Sequence, residues 1–278
     1  VTGAVGQPPV TGRPPATADD AVRQVALACR IIARFGHEDL TLGHASVRGP
    51  DGRTVYIKRK GKALRDVLAE DVIGITLDDP DGYLTPGAHL ETIMHLETYL
   101  ARPDVGAVIH THPMYSIALG ATAGGLELLS HDGLLFPDGV PVFDGTAGLV
   151  TTPQDGQGVV RALGAGRAVL LRNHGILVAG EDISWAVLTA LTLERAARIQ
   201  FIARVLGDPV PIPREVARDL SASKYQEEFA EEYWQDWCRM LESPLWPNGF
   251  LPPSTASPSP VTCPPRNCCS TSCATGSA

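Results

Sequence analysis

Apolar and polar positions along the chain follow two rhythms, and together they predict a mixed α/β domain. Val22, Val25, Ala26, Cys29, Ile32 and Ala33 recur at helical spacing behind Thr17-Ala18-Asp19-Asp20. That hydroxyl and those acids suit a helix start, and Gly36 supplies a stop. Short apolar runs come next. Thr54 to Lys58 follows the Asp51-Gly52 turn signal, and Val72 to Leu77 precedes a second turn at Asp78 to Gly82. With the segment Thr41 to Arg48 they read as a short antiparallel meander. From His89 helices and strands alternate: a helix over Leu90 to Ala101, a buried strand at Val105 to Ile109, and a helix over Pro113 to Gly120. A short strand at Val140 to Phe143, a helix over Asp155 to Leu163 and strands at Ala168 to Leu171 and Ile176 to Val178 follow. Ser184 to Leu206 is a long helix rich in Ala and Leu, and Arg214 to Leu241 is helical in part. The expected architecture is a sheet with helices on its faces.

Composition narrows the function classes. The 278 residues suit one large domain, placed at 18–242, between a flexible N-terminal arm (1–17) and a disordered Pro/Ser/Cys-rich tail (243–278). A formal charge of −8 argues against nucleic acid or an anionic membrane as partner. Lys58-Arg59-Lys60, with Lys62 and Arg65, reads as a solvated strand end. No apolar run approaches the roughly 20 residues a bilayer span needs, and no secretion signal is visible, so a cytoplasmic setting is expected. Cys29 and Cys238 fall inside helical patterns and read as packed thiols. Cys263, Cys268, Cys269 and Cys273 crowd the tail without zinc-knuckle spacing.

Three histidines carry the chemistry. His110 and His112 end the apolar run from Val105, and residues i and i+2 of a strand share a face. Two imidazoles there can reach one ion, and His174, after the run Ala168 to Leu171, can supply a third. Three protein ligands leave positions open, which suits a catalytic metal better than a structural one. Each histidine alone has a plain structural reading; the spacing is what favours a metal. Glu91, opening the helix before the ligand strand, is the candidate acid–base carboxylate. Its competing role is a helix N-terminal carboxylate favoured by the macrodipole. Burial would raise its pKa and a cation would lower it. His95 lies one turn beyond Glu91 and either orients it or packs, whereas His131 reads as a loop residue. Tyr115, Tyr225 and Tyr233 are open candidates as proton donors. His44 is singled out by its setting behind Gly43.

The blocks Gly43-His44-Ala45-Ser46-Val47-Arg48, Glu91-Thr92-Ile93-Met94-His95, Arg102 to Pro113 with its His110-Thr111-His112-Pro113 ending, Leu171-Arg172-Asn173-His174-Gly175, and the helix around Glu194 occur in one order. In that order they resemble the class II aldolase/adducin family over about residues 18–241. The resemblance implies a three-layer α/β/α fold with a central, mostly antiparallel sheet, assembled as a homotetramer with active sites between subunits. It matches His110, His112 and His174 to the metal ligands and Glu91 to the acid–base carboxylate. It implies one divalent ion per subunit: Fe²⁺, Zn²⁺ or Mn²⁺. Sugar-phosphate aldolases of this family hold phosphate with Ser-Gly-Asn, but here the loop reads Leu42-Gly43-His44-Ala45, and Leu90 stands where serine is usual. The pattern is more similar to the branch that decarboxylates aromatic acids.

The leading expectation is therefore metal-dependent cleavage of a carbon–carbon bond in a small, aromatic hydroxy or keto acid, by decarboxylation or aldol-type cleavage. Gly43, His44 and Ser46 are the candidates for binding its oxygens. The runner-up is a non-haem Fe(II) oxygenase that oxidatively decarboxylates a prenylated 4-hydroxyphenylpyruvate or mandelate-type acid in antibiotic biosynthesis. The third is a non-catalytic, adducin-like assembly module.

Overall fold

The computed structural model describes residues 11–242. Its first helix, α1 (Ala18–Ile32), starts on a reciprocal cap: the Asp20 amide donates to Thr17 Oγ1 and the Thr17 amide to Asp20 Oδ2, both at 3.1 Å. The helix does not simply stop at Gly36. It widens into a π-helical turn over Ala33–His37, and Gly36 at φ +90° ends that turn.

Seven strands form one sheet: β1 (His44–Arg48), β2 (Thr54–Lys58), β3 (Val72–Thr76), β4 (Ala107–Thr111), β5 (Val142–Phe143), β6 (Ala168–Leu171) and β7 (Gly175–Gly180). Their spatial order is β3-β2-β1-β4-β7-β6-β5. Every pairing is antiparallel except β5 with β6, so the sheet is mixed and mostly antiparallel, as expected. The connecting helices are α2 (Thr92–Ala101), α3 (Met114–Gly120), α4 (Pro153–Leu163), α5 (Ile183–Leu206), α6 (Arg214–Lys224) and α7 (Glu227–Glu242).

Alternation along the strands splits the core in two. Ala45, Val47, Ala107, Ile109, Ile176 and Val178 face α1, α5 and α7. Val55, Ile57, Val108, Val169 and Leu177 face the other layer, with Ile93 and Met94 of α2 and Val159 of α4. The three layers of the resemblance are thus present. Side chains of β1 and β4 that are out of step with the apolar face, namely His44, Ser46 and His110, all fall on the α2 side. No helix among the described residues is long and apolar enough to cross a membrane.

Two expectations need correction. The arm was expected to be flexible over 1–17, but from Thr11 onward it is tied down. The Gln24 amide donates to the carbonyls of Thr11 and Arg13 at 2.8 and 2.6 Å, and the Gly12 amide donates to Glu231 at 2.9 Å. Gly12 is needed there, since a Cβ would lie 2.6 Å from Ser184 Cβ and 2.7 Å from Trp234 Cγ. Residues 1–10, and the tail from 243 with its four cysteines, lie outside the described residues. Lys58 is the second correction. Arg59 and Lys60 are exposed, but Lys58 is buried and spends its ammonium on the carbonyls of Thr41 (2.9 Å) and Gly43 (3.1 Å) and on His89 Nε2 (3.2 Å). Burial lowers its pKa to about 8.

Candidate metal centre

β4 ends where Pro113, which has no amide hydrogen to give the ladder, follows His112. β6 and β7 are joined by Arg172-Asn173-His174, with Asn173 in the left-handed region at φ +58°. The register Thr111↔Ile176 sets this turn beside the end of β4. The approach is so close that a Cβ on Gly175 would lie 2.4 Å from the Thr111 carbonyl oxygen. Glycine at this position is what lets His174 reach His112, whose ring stacks on it at 5.1 Å and 24°.

Four donor atoms converge. His110 Nε2 and His112 Nε2 are 3.0 Å apart, and Glu91 Oε2 lies 3.5 Å from both His110 Nε2 and His174 Nε2. One ligand atom from each of these four residues lies within 4.8 Å of every other. Ligands about 2.0–2.1 Å from a tetrahedral ion are roughly 3.3 Å apart, so the spacing suits one divalent cation.

Tautomers strengthen the point. His110 Nδ1 is 2.8 Å from the Ile176 carbonyl and His112 Nδ1 is 3.1 Å from Asp39 Oδ2, and both partners can only accept. Each Nδ1 therefore carries the proton, and each Nε2 turns a lone pair inward. Two lone pairs at 3.0 Å cannot bond to each other, and the Glu91 carboxylate faces the same point. A positive charge between them resolves the set. Burial, then the neighbouring rings of His110 and His174, lowers His112 to about 4, the neutral form a metal requires.

Glu91 is the N-cap of α2, yet its side chain makes no capping bond. Oε1 instead accepts the Val150 amide at 3.0 Å. Burial pushes this carboxyl up, but a positive charge on the side of His110 and His174, where a cation would stand, holds Glu91 well below the usual carboxylate range.

His44 sits in register with His110 across β1 and β4, with ring centroids 5.1 Å apart. Gly43, at φ +73°, brings the chain into β1, and its carbonyl is held by Lys58. Ser46 is fully buried, and its hydroxyl is engaged by His95 and Tyr99, behind His44. His95 does not bond to Glu91; its nitrogens meet Ser46 and His44. His131 is exposed, and its carbonyl accepts from Lys224 and Tyr225. Tyr233 packs on Phe229 and Trp237, and Tyr115 on Phe201. Asp39, the Val150 amide and the buried Lys58 escaped the sequence reading, because their partners lie far away in the chain.

Residues 23–201 match the model of the class II aldolase and adducin N-terminal domain, and the chain belongs to that family. It is 39% identical over 199 residues to decarboxylase NovR of Streptomyces niveus, covering 69% of this chain and 73% of that one. It is 33% identical over 198 residues to the 4-hydroxy-3-prenylphenylpyruvate oxygenase/4-hydroxy-3-prenylbenzoate synthase of Streptomyces roseochromogenus subsp. oscitans (69% and 71% covered). Against the 3,4-dihydroxyphthalate decarboxylase of Arthrobacter keyseri it is 31% identical over 198 residues (66% and 78% covered). Among solved structures, an aldolase II superfamily protein from Pseudomonas syringae superposes with a TM-score of 0.72 at 27% identity, covering 83% of this chain and 95% of that one.

Proposed function

We propose that this protein is a metal-dependent lyase that cleaves a carbon–carbon bond in a small, aromatic hydroxy or keto acid, with decarboxylation as the first form of the reaction. The observation that carries the reading is the convergence of four ligand atoms, one each from His110, His112, His174 and Glu91. The names of the two decarboxylases among the relatives support the reaction class.

In this reading His110, His112 and His174 hold one divalent ion per subunit, Fe²⁺, Zn²⁺ or Mn²⁺. A cation there supplies Lewis-acid stabilisation of the oxygen charge that grows as CO₂ or an aldehyde leaves. Glu91 moves the proton. Its Oε1 is pinned by the Val150 amide, which fixes the carboxylate while Oε2 faces the reacting atoms. Gly43 and His44 line the substrate side, and Ser46 acts from beneath His44. Leu90 beside Glu91, Met114 after Pro113, and Leu40 beside Asp39 are exposed apolar residues flanking the centre in sequence. They support a subunit contact beside the centre, and the homotetramer with sites between subunits rests on the family resemblance. The substrate is a small carboxylic acid, and the setting is cytoplasmic.

One relative favours a second reading. The prenylphenylpyruvate oxygenase makes Fe(II)-dependent oxidative decarboxylation of a prenylated aromatic keto acid the alternative, with antibiotic biosynthesis as its context. One experiment separates them: elemental analysis of protein purified without air, then a screen of hydroxyaromatic and α-keto acids with and without oxygen. Anaerobic turnover with Zn²⁺ or Mn²⁺ supports the lyase. Strict oxygen dependence with iron supports the oxygenase. A folded protein that binds no metal would sink both and favour the adducin-like module.

A further inference from the structure

We propose that the buried chain Tyr99–Ser46–His95–His44 is a tautomer lock, which fixes the His44 proton on Nε2 and so presents a hydrogen-bond donor to an anionic oxygen of the ligand. The inference deepens the reading above and rests on it for the ligand's position.

The distances favour one direction at each link. Tyr99, on the buried side of α2, has its hydroxyl 2.8 Å from Ser46 Oγ. A buried O–H needs an acceptor, and Ser46 Oγ provides it. Ser46 must then place its own proton. His95 Nδ1 lies 2.6 Å away, against 3.5 Å for the Val108 carbonyl, so the proton goes to His95. A neutral imidazole that accepts at Nδ1 carries its proton on Nε2. His95 Nε2 is 2.8 Å from His44 Nδ1, so it donates there, and His44 in turn carries its proton on Nε2.

Both rings are neutral. His44 and His95 are both buried, where an uncharged imidazole is favoured over a charged one. The sheet register places His44 beside His110 on the α2 face, so a ligand at the centre lies alongside. A donor at that place favours carboxylate, phenolate or enolate oxygen. His95, Ser46 and Tyr99 are positioning residues, because they act on the ligand only through His44.

The test uses the full chain, loaded with zinc and labelled with ¹⁵N-histidine. Long-range ¹⁵N–¹H correlation reports the tautomer of each ring, and His44→Gln identifies the His44 signal. The expected result is a single Nε2–H form for His44 in the wild type, replaced by a tautomer mixture in Ser46→Ala. Salicylate, with vicinal carboxylate and phenol oxygens, is the binding probe. Ser46→Ala should weaken it about tenfold and Tyr99→Phe about threefold, with zinc affinity within about twofold of wild type in both. A wild-type His44 protonated on Nδ1, or zinc and salicylate affinities that fall together, overturns the lock. Zinc that fails to bind the wild type overturns the metal reading instead. The His44 tautomer is then read in the unloaded protein, where an Nδ1–H form again overturns the lock.

Discussion

His112 Nδ1 donates to Asp39 across 3.1 Å, joining residues 73 positions apart. His37, two residues before Asp39, bonds Thr111 at 2.9 Å, so one short segment grips the end of β4 from both sides beside the proposed ligands His110 and His112. A carboxylate behind a ligand imidazole fixes its tautomer and raises its basicity, and losing it commonly costs 10–100-fold in metal affinity. Asp39→Ala should therefore weaken zinc binding by about that factor in a chelator competition, with Asp39→Asn intermediate. Unchanged affinity in the alanine variant would show that His112 is held by its strand alone.

His112→Ala should abolish both turnover and bound metal, because it removes one of the inward lone pairs and leaves its neighbours short of a ligand. His131→Ala should leave both intact, since the ring is exposed and only its backbone is used. Metal content and rate measured side by side settle this, and turnover surviving in His112→Ala would mean a wrong ligand set.

Gly175→Ala should be far more damaging than its size suggests. The added methyl would lie 2.4 Å from the Thr111 carbonyl and 2.8 Å from His112 Cδ2, so β7 must pull away from β4. Overpacking of this kind costs about 1–3 kcal/mol or more, and here it also separates His174 from its partners. Thermal melting should show the loss, and metal titration should fall with it. A wild-type melting temperature with full metal content would contradict the packing.

Acid should destabilise the protein through His37. This ring is buried, and burial lowers its pKa from the ordinary 6.5 to about 3. Below pH 6.5 the unfolded chain takes up a proton that the native state refuses, so stability is lost as pH falls from 6.5 toward 3. The slope for one such group is about 1.4 kcal/mol per pH unit, or roughly 2 kcal/mol by pH 5. His37→Gln lacks this titration. Urea unfolding at pH 7, 6 and 5 should show a shallower decline in the variant, and parallel curves would exclude the role.

Much of this protein is legible in its sequence because periodicity is a local property. Helical spacing from Val22 to Ala33 and the apolar runs before His110 and after Arg167 determined which elements form. Strand alternation alone put His110 and His112 on one face. Only the tertiary structure decided what the polar groups meet. Lys58 looked like a solvated basic end, yet the chain folds the carbonyls of Thr41 and Gly43 over it. Glu91 could have been a helix cap, but the Val150 amide, 59 residues away, turns its carboxylate toward the histidines. Asp39 and Tyr99 carried no pattern at all. Burial of apolar surface is non-directional and leaves its mark on every turn of the sequence, whereas a hydrogen bond is made by one atom with one distant partner, and that choice exists only once the loops have closed.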